Sequence, residues 1–303
     1  MKTIQDNAFL FYTSKDKQFL SLVSWLLQGT ARVTKAEKNV KRYFSYIMNG
    51  VDQLYSGIND PNIAVNVKIC GFFICKLQKE FAHRFSQVHY VNGYSLINAS
   101  TYLDDLFNMD VARAFRRIPE YDQVILFTRH TMYVTDTSRQ VAGISYPGGI
   151  CVPGYRVEIV HLTDYFKTTS TAAHELGHSL GAVHDGDDTA RGCKAEDGFI
   201  MTPRMEDFVP YKTYSSNPWK FSTCSVEAFK RTIVRKPDLT KKPVYTQSEI
   251  DEWNKFMSRL PGQKYSPSMQ CQFILGLGSS NCGVCTKSMC QCAQDVCSVI
   301  QPF

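Results

Sequence analysis

Apolar residues recur at three- and four-residue intervals between residues 36 and 58, at Val40, Phe44, Ile47, Val51, Leu54 and Ile58. That spacing lines one face of a helix. It predicts an amphipathic α-helix, stopped by Asn59-Asp60-Pro61. From Ile63 to Cys75 the period changes to two, with Ile63, Val65, Val67 and Ile69 alternating as in a strand. Helical spacing returns from Thr101 to Arg117, with Leu103, Leu106, Phe107 and Phe115 facing inward. Tyr121 to Thr128 reads as a buried strand, with its unbroken apolar run from Val124 to Phe127. Tyr155 to Leu162 alternates into one more strand, and Thr168 to Val183 and Cys224 to Val234 read as helices. Ala8 to Tyr12 is a further strand candidate. Strands and helices interleaved in this way place the chain in the α/β class.

One helix carries more than packing. Residues 174 to 185 read His-Glu-Leu-Gly-His-Ser-Leu-Gly-Ala-Val-His-Asp. Positions four apart lie one above the other on a helix, so His174 and His178 point the same way. Gly181 can take φ > 0, which lets the helix end and the chain turn. That turn brings His184 back as a third ligand. Three imidazoles holding Zn²⁺ leave a fourth position for water, which is the catalytic zinc pattern. Glu175, one position round from His174, is the candidate general base. Three His, two acids and a Gly at fixed offsets arise by chance on the order of once in a million chains of this length.

Composition narrows the setting. The 303 residues suffice for one large and one small domain. The net charge of +6 is mild and its Lys and Arg are scattered, so it does not imply nucleic acid. A local basic cluster, from Lys230 and Arg231 through Arg235 and Lys236 to Lys241 and Lys242, fits a solvated helix end and linker or an anionic-matrix patch. Six of the 11 cysteines fall between Cys271 and Cys297. A run this dense is either a disulfide scaffold of an oxidising compartment or a zinc knuckle on Cys282, Cys285, Cys290 and Cys292. The odd total leaves one thiol over. Cys70 and Cys75 either close a local loop or stay as core thiols. The apolar run Phe19 to Leu27 is too short to span a bilayer, and reads as a buried element or a displaced signal. His83 and His89 are read as solvated or as a second metal site. Asn98-Ala99-Ser100 is a glycosylation sequon.

The motif from His174 to Asp185, with Met201 in Phe199-Ile200-Met201-Thr202-Pro203, resembles the zinc signature and Met-turn of the metzincin metalloproteases. Asp185 after the third His is the reprolysin (adamalysin) form. Asn217-Pro218-Trp219 with Phe221 to Ser225, and Leu260-Pro261-Gly262 with Gln270-Cys271, are similar to the branch that carries thrombospondin repeats and to secreted tick salivary metalloproteases.

The resemblance implies a metzincin catalytic domain, a twisted and mostly parallel sheet with helices and a small lower subdomain, plus a disulfide-rich C-terminal fragment. It implies a secreted zinc metalloendopeptidase acting as a monomer on extracellular matrix or blood proteins. The other reading is a non-enzymatic secreted protein that binds through its cysteine-rich module. On this pattern residues 1–35 have no assignment. Residues 36–236 form the catalytic domain, 237–259 a linker and helix, and 260–303 a partial disintegrin-like or cysteine-rich module. A signal and prodomain, usual in the family, are not evident, which implies a shortened or misassigned N-terminus. Val141 to Gly149 matches the rim strand over the cleft, so Gly143, Ile144, Ser145 and Tyr146 are expected to bind substrate, with Thr202 and Pro203 walling a side-chain pocket. Met201 forms an apolar floor beneath the imidazoles, and Asp185 and Gly181 are structural. Cys193 pairs with Cys224. The family partner of Cys151 is replaced by Arg235-Lys236-Pro237, which makes Cys151 the candidate odd thiol. Ca²⁺ at Asp122 is a further implication of the resemblance.

Overall fold

A computed structural model describes residues 2–13, 30–74, 89–91, 94–108, 121–134, 139–163, 165–203, 216–236, 266, 268, 280–285 and 290–293. The main sheet has five strands in the order β2-β1-β5-β9-β8. These are β1 (Lys2–Thr13), β2 (Ile63–Ile74), β5 (Gln123–Thr128), β8 (Gly143–Ser145) and β9 (Val157–His161). The first four in spatial order run parallel, and β8 closes one edge antiparallel to β9, with Ser145 opposite Glu158. A second sheet, β3-β4-β6-β7, is built from β3 (His89–Val91), β4 (Tyr94–Asn98), β6 (Thr131–Val134) and β7 (Arg139–Val141). Near the C-terminus β10 (Ser280–Cys285) pairs antiparallel with β11 (Cys290–Ala293).

Alternation within the strands sends residues to two cores. Ile125, Phe127 and Val160 face α1 (Thr30–Ser56) and α3 (Tyr165–Ser179). Val124, Leu126, Val157 and Ile159 face α2 (Ala99–Asn108). Val40, Phe44, Ile47, Val51 and Leu54, the stripe legible in the sequence, are all buried in the first core. Both faces of β5 are covered, and all six of its residues are buried.

The helices differ from the sequence expectation mainly at their ends. The first begins at Thr30 and ends at Ser56, ahead of the Asn59-Asp60-Pro61 stop. The second starts at Ala99, where Asn98 Oδ1 accepts from Thr101 N–H (3.1 Å), and its described part runs to Asn108. The helix expected to reach Val183 stops at Ser179. Gly181 has φ +91, and its N–H bonds His178 O (2.7 Å) while Ala182 N–H bonds Gly177 O (3.0 Å). These two bonds form the Schellman arrangement, which ends a helix just before its left-handed glycine. The rim segment forms three strand residues, Gly143–Ser145, and then turns through Gly148 at φ +68. The candidate strand at Ala8–Tyr12 lies within β1, between β2 and β5, so these residues belong to the interior of the main sheet. The run Phe19–Leu27, His83, Cys75 and the linker after Lys236 lie outside the described residues.

Helix α3 is fixed from several sides. Ala172 and Ala173 are fully buried, and Tyr55 of α1 donates its hydroxyl to Ala173 O (2.8 Å). At its C-terminal end, Gly148 N–H bonds His178 O (2.8 Å) and Ile150 N–H bonds Ser179 O (3.2 Å). Those amides satisfy two of the terminal carbonyls that a helix leaves open. Lys236, after α4 (Thr223–Arg235), donates to Gly148 O (2.6 Å) and Ile150 O (2.5 Å), tying the same turn to the C-terminal helix. Cys151 beside it is a thiol and donates to Asp122 Oδ1 (3.4 Å). Cys70 is likewise a thiol, buried in the core.

Candidate metal centre

His174 and His178 sit one turn apart on α3, and His184 reaches them after the turn at Gly181. Their ligand nitrogens all lie within 4.8 Å of one another. His184 Nε2 is 3.2 Å from both His174 Nε2 and His178 Nε2. Among the described residues this is the one group of three or more metal-ligand side chains.

The outer ring nitrogens set the tautomers. His174 Nδ1 lies 2.7 Å from Ile200 O, and His178 Nδ1 lies 2.8 Å from Ala182 O. A carbonyl only accepts, so each Nδ1 carries the proton and each Nε2 presents a lone pair. His184 Nδ1 faces Asp187 Oδ2 at 3.8 Å. The paired lone pairs repel unless a cation lies between them, and fixing a ligand ring by its other nitrogen is how proteins orient metal-binding His. Burial, reinforced by the charges of His178 and His184, holds His174 well below its ordinary pKa. Burial also pulls His178 down to about 4, helped by His184 and opposed by the Ala182 hydrogen bond. Both rings are therefore neutral at neutral pH, the form that ligates metal. The donor set fits a zinc ion.

Glu175 is buried beside this group. Burial pushes its carboxyl up to about 8, and the hydrogen bond from Ser145 works in the opposite direction. Ser145 Oγ lies 3.0 Å from Glu175 Oε2. Gly143 leaves space for the same side chain, since a Cβ there would stand 2.5 Å from Glu175 Cγ. Met201 is fully buried, and a Cβ on Gly177 would meet its sulfur at 2.6 Å, so the Met-turn lies directly against α3. Asp185 N–H bonds Met201 O (2.9 Å), and the Asp185 carboxylate accepts from Ser222 Oγ (2.6 Å) at the N-cap of α4. A disulfide joins Cys193 to Cys224. Thr202 is buried with its hydroxyl on Ala195 O (3.1 Å), and Pro203 is exposed.

The four rim residues divide by strand parity. Gly143 and Ser145 face Glu175, whereas Ile144 and Tyr146 pack on the opposite core. Tyr146 donates to Asp104 Oδ1 (2.6 Å), and burial followed by the Asp104 carboxylate raises its phenol well above the usual value.

Sequence reasoning missed a buried polar row beneath α3. Gln123 Nε2 donates to Glu158 Oε2 (3.1 Å) and to Ser179 Oγ (2.8 Å). Glu158 is fully buried, and burial, then the Glu175 charge, raises its carboxyl well above the ordinary range. Glu158 Oε1 and Gln123 Oε1 both lack a donor. A protonated Glu158 has a hydroxyl to give, which an ionised one does not. The signal for this row was a charged residue inside a strand covered on both faces.

The model of metallo-peptidase family M12, Reprolysin_5, matches residues 20–216. The chain belongs to this family. It is 30% identical over 277 residues to "A disintegrin and metalloproteinase with thrombospondin motifs like" of Bombyx mori, covering 85% of this chain and 36% of that protein. It is 24% identical to "A disintegrin and metalloproteinase with thrombospondin motifs 20" of Homo sapiens, over 91% of this chain and 14% of that one. "Venom metalloproteinase BumaMPs1" of Olivierus martensii is 27% identical over 65% of this chain and 48% of its own length. The chain thus spans less than half the length of each of these relatives. The His174, His178 and His184 group lies within the matched residues.

Proposed function

We propose that this chain is a zinc-dependent metalloendopeptidase. The observation that carries the reading is the convergence of three imidazole nitrogens beside a buried glutamate. His174, His178 and His184 would hold the metal. A zinc ion bound there supplies Lewis acidity toward a water molecule and the scissile carbonyl. Glu175 accepts the proton of the attacking water at its carboxylate and returns it to the leaving nitrogen. Its buried surroundings raise its proton affinity, which suits a base that must take and release a proton near neutral pH. Met201, buried against Gly177 of α3, is the proposed apolar floor below the imidazoles, Gly181 turns His184 into place, and Asp185 ties the turn to α4 through Ser222.

Substrate docks in extended form along β8, which lies at the edge of the main sheet. A strand edge offers backbone N–H and C=O groups to an incoming peptide, so affinity comes from the main chain. The parity of Gly143 and Ser145 turns their side-chain face to Glu175, and Thr202 and Pro203 flank the pocket for a substrate side chain. Secretion is supported by the Cys193–Cys224 disulfide, which belongs to an oxidising compartment, and by the venom enzyme among the relatives. Extracellular matrix or blood proteins are the proposed substrates, Asn98 the proposed glycan site, and a monomer the proposed working form. No described helix is long and apolar enough to cross a membrane.

Glu175→Gln tests the reading. The variant should bind one zinc and fold as the parent does, while cleavage of a quenched peptide falls about 10²- to 10⁴-fold. Retained turnover would remove Glu175 from the mechanism.

A further inference from the structure

Ser145 meets Glu175 twice. Its Oγ lies 2.9 Å from the Glu175 main-chain carbonyl and 3.0 Å from Glu175 Oε2. The hydroxyl has one hydrogen for these two acceptors, and the carboxylate lies within its reach. Among the described residues, Ser145 is the donor that the Glu175 carboxylate has. Gly143, two residues earlier on the same face of β8, supplies the space, because a Cβ there would overlap Glu175 Cγ and Oε1, each at 2.5 Å. The cross-strand partner of Ser145, Glu158, accepts from Gln123, and among the described residues no hydrogen bond joins it to Glu175. The carboxylate is thus held between a glycine gap and one hydroxyl, both carried by the strand along which substrate is proposed to lie.

We propose that Ser145 is a positioning residue for Glu175, its hydroxyl holding the carboxylate in one rotamer at the metal centre. The proposal rests on the peptidase reading of the site. It changes the role of Ser145 from substrate contact to support of the base. Loss of a hydrogen bond to a buried carboxyl group corresponds to about a tenfold change in rate.

The test compares the parent with Ser145→Ala and Ser145→Thr. In the zinc-loaded proteins, Ser145→Ala should lower kcat on a quenched peptide about tenfold, with KM and zinc stoichiometry unchanged, and Ser145→Thr, which restores the hydroxyl, should recover most of the loss. A KM increase at constant kcat, or kcat within twofold of the parent, would overturn the proposal. A second readout needs neither metal nor turnover. In the metal-free protein the side-chain carboxyl ¹³C resonance of Glu175, assigned by its disappearance in Glu175→Gln, should move in Ser145→Ala and return in Ser145→Thr. A resonance that stays fixed overturns the contact itself. A resonance that moves while the loaded parent is inactive supports the contact and overturns the peptidase reading instead.

Discussion

At the scale of single residues, the centre combines neutral imidazoles with carboxyl groups held away from water. Glu158 gives the clearest consequence. Its folded-state pKa is raised above the ordinary value of 4.5, by burial first and by the Glu175 charge second. A raised acid contributes stability that is complete below pH 4.5 and is lost as pH rises toward the folded value. Glu158→Gln keeps the shape and the neutral charge but cannot ionise in the unfolded chain. Its stability relative to the parent should therefore climb above pH 4.5, with a slope approaching about 1.4 kcal/mol per pH unit. Urea unfolding of both proteins from pH 4 to 8 measures this, and a difference that is flat with pH would show Glu158 ionised in the fold. The grouping of the three His was legible in the sequence because it depends on fixed local offsets along one helix and its turn. The Ser145 and Glu158 contacts were not, since they depend on which face each strand residue takes and on the register that sets Ser145 opposite Glu158.

At the scale of elements, the site depends on how α3 ends. The two turn bonds at Gly181 and Ala182 reverse the chain three residues before His184. Gly181→Ala places a Cβ at φ +91 and against Thr232 Oγ1. It should destabilise the protein by more than about 1 kcal/mol and weaken zinc binding, since the strained turn carries the third ligand. Thermal unfolding with a parallel zinc titration checks both, and an unchanged zinc affinity would separate the turn from the ligand geometry. Gly181 was visible in the sequence as a turn residue, but the Schellman bonds that stop α3 at Ser179 were not, so the expected helix ran on to Val183. The apolar stripe of α1 was legible because burial on one face imposes the 3.6-residue period. The rim strand was expected to be longer, because sequence pattern does not show that chain beyond Ser145 leaves the sheet to cap α3.

At the scale of the whole molecule, the edge strand β8 packs against α3, and the segment after His184 is tied to α4. Ser222, at the N-cap of α4, bonds Asp185, and the Cys193–Cys224 disulfide closes a 31-residue separation around the Met-turn. Replacing both cysteines with serine should lower stability by about 3 kcal/mol through the freed unfolded chain. Chemical denaturation measures the loss, and a value near zero would mean that packing alone holds the loop. Lys236 performs a similar tie without a covalent bond, fastening the 148–150 turn to the end of α4. The odd-thiol expectation for Cys151 pointed to this region, but the ammonium clamp depends on tertiary placement that residue order does not reveal.

The most direct test of the central claim is hydrolysis of a quenched fibrinogen or gelatin substrate by the purified chain, before and after zinc removal and after zinc is restored. The account predicts cleavage that disappears with the metal, returns with zinc and is absent in Glu175→Gln. Cleavage that survives zinc removal, or a folded zinc-loaded chain that cleaves nothing, would contradict it.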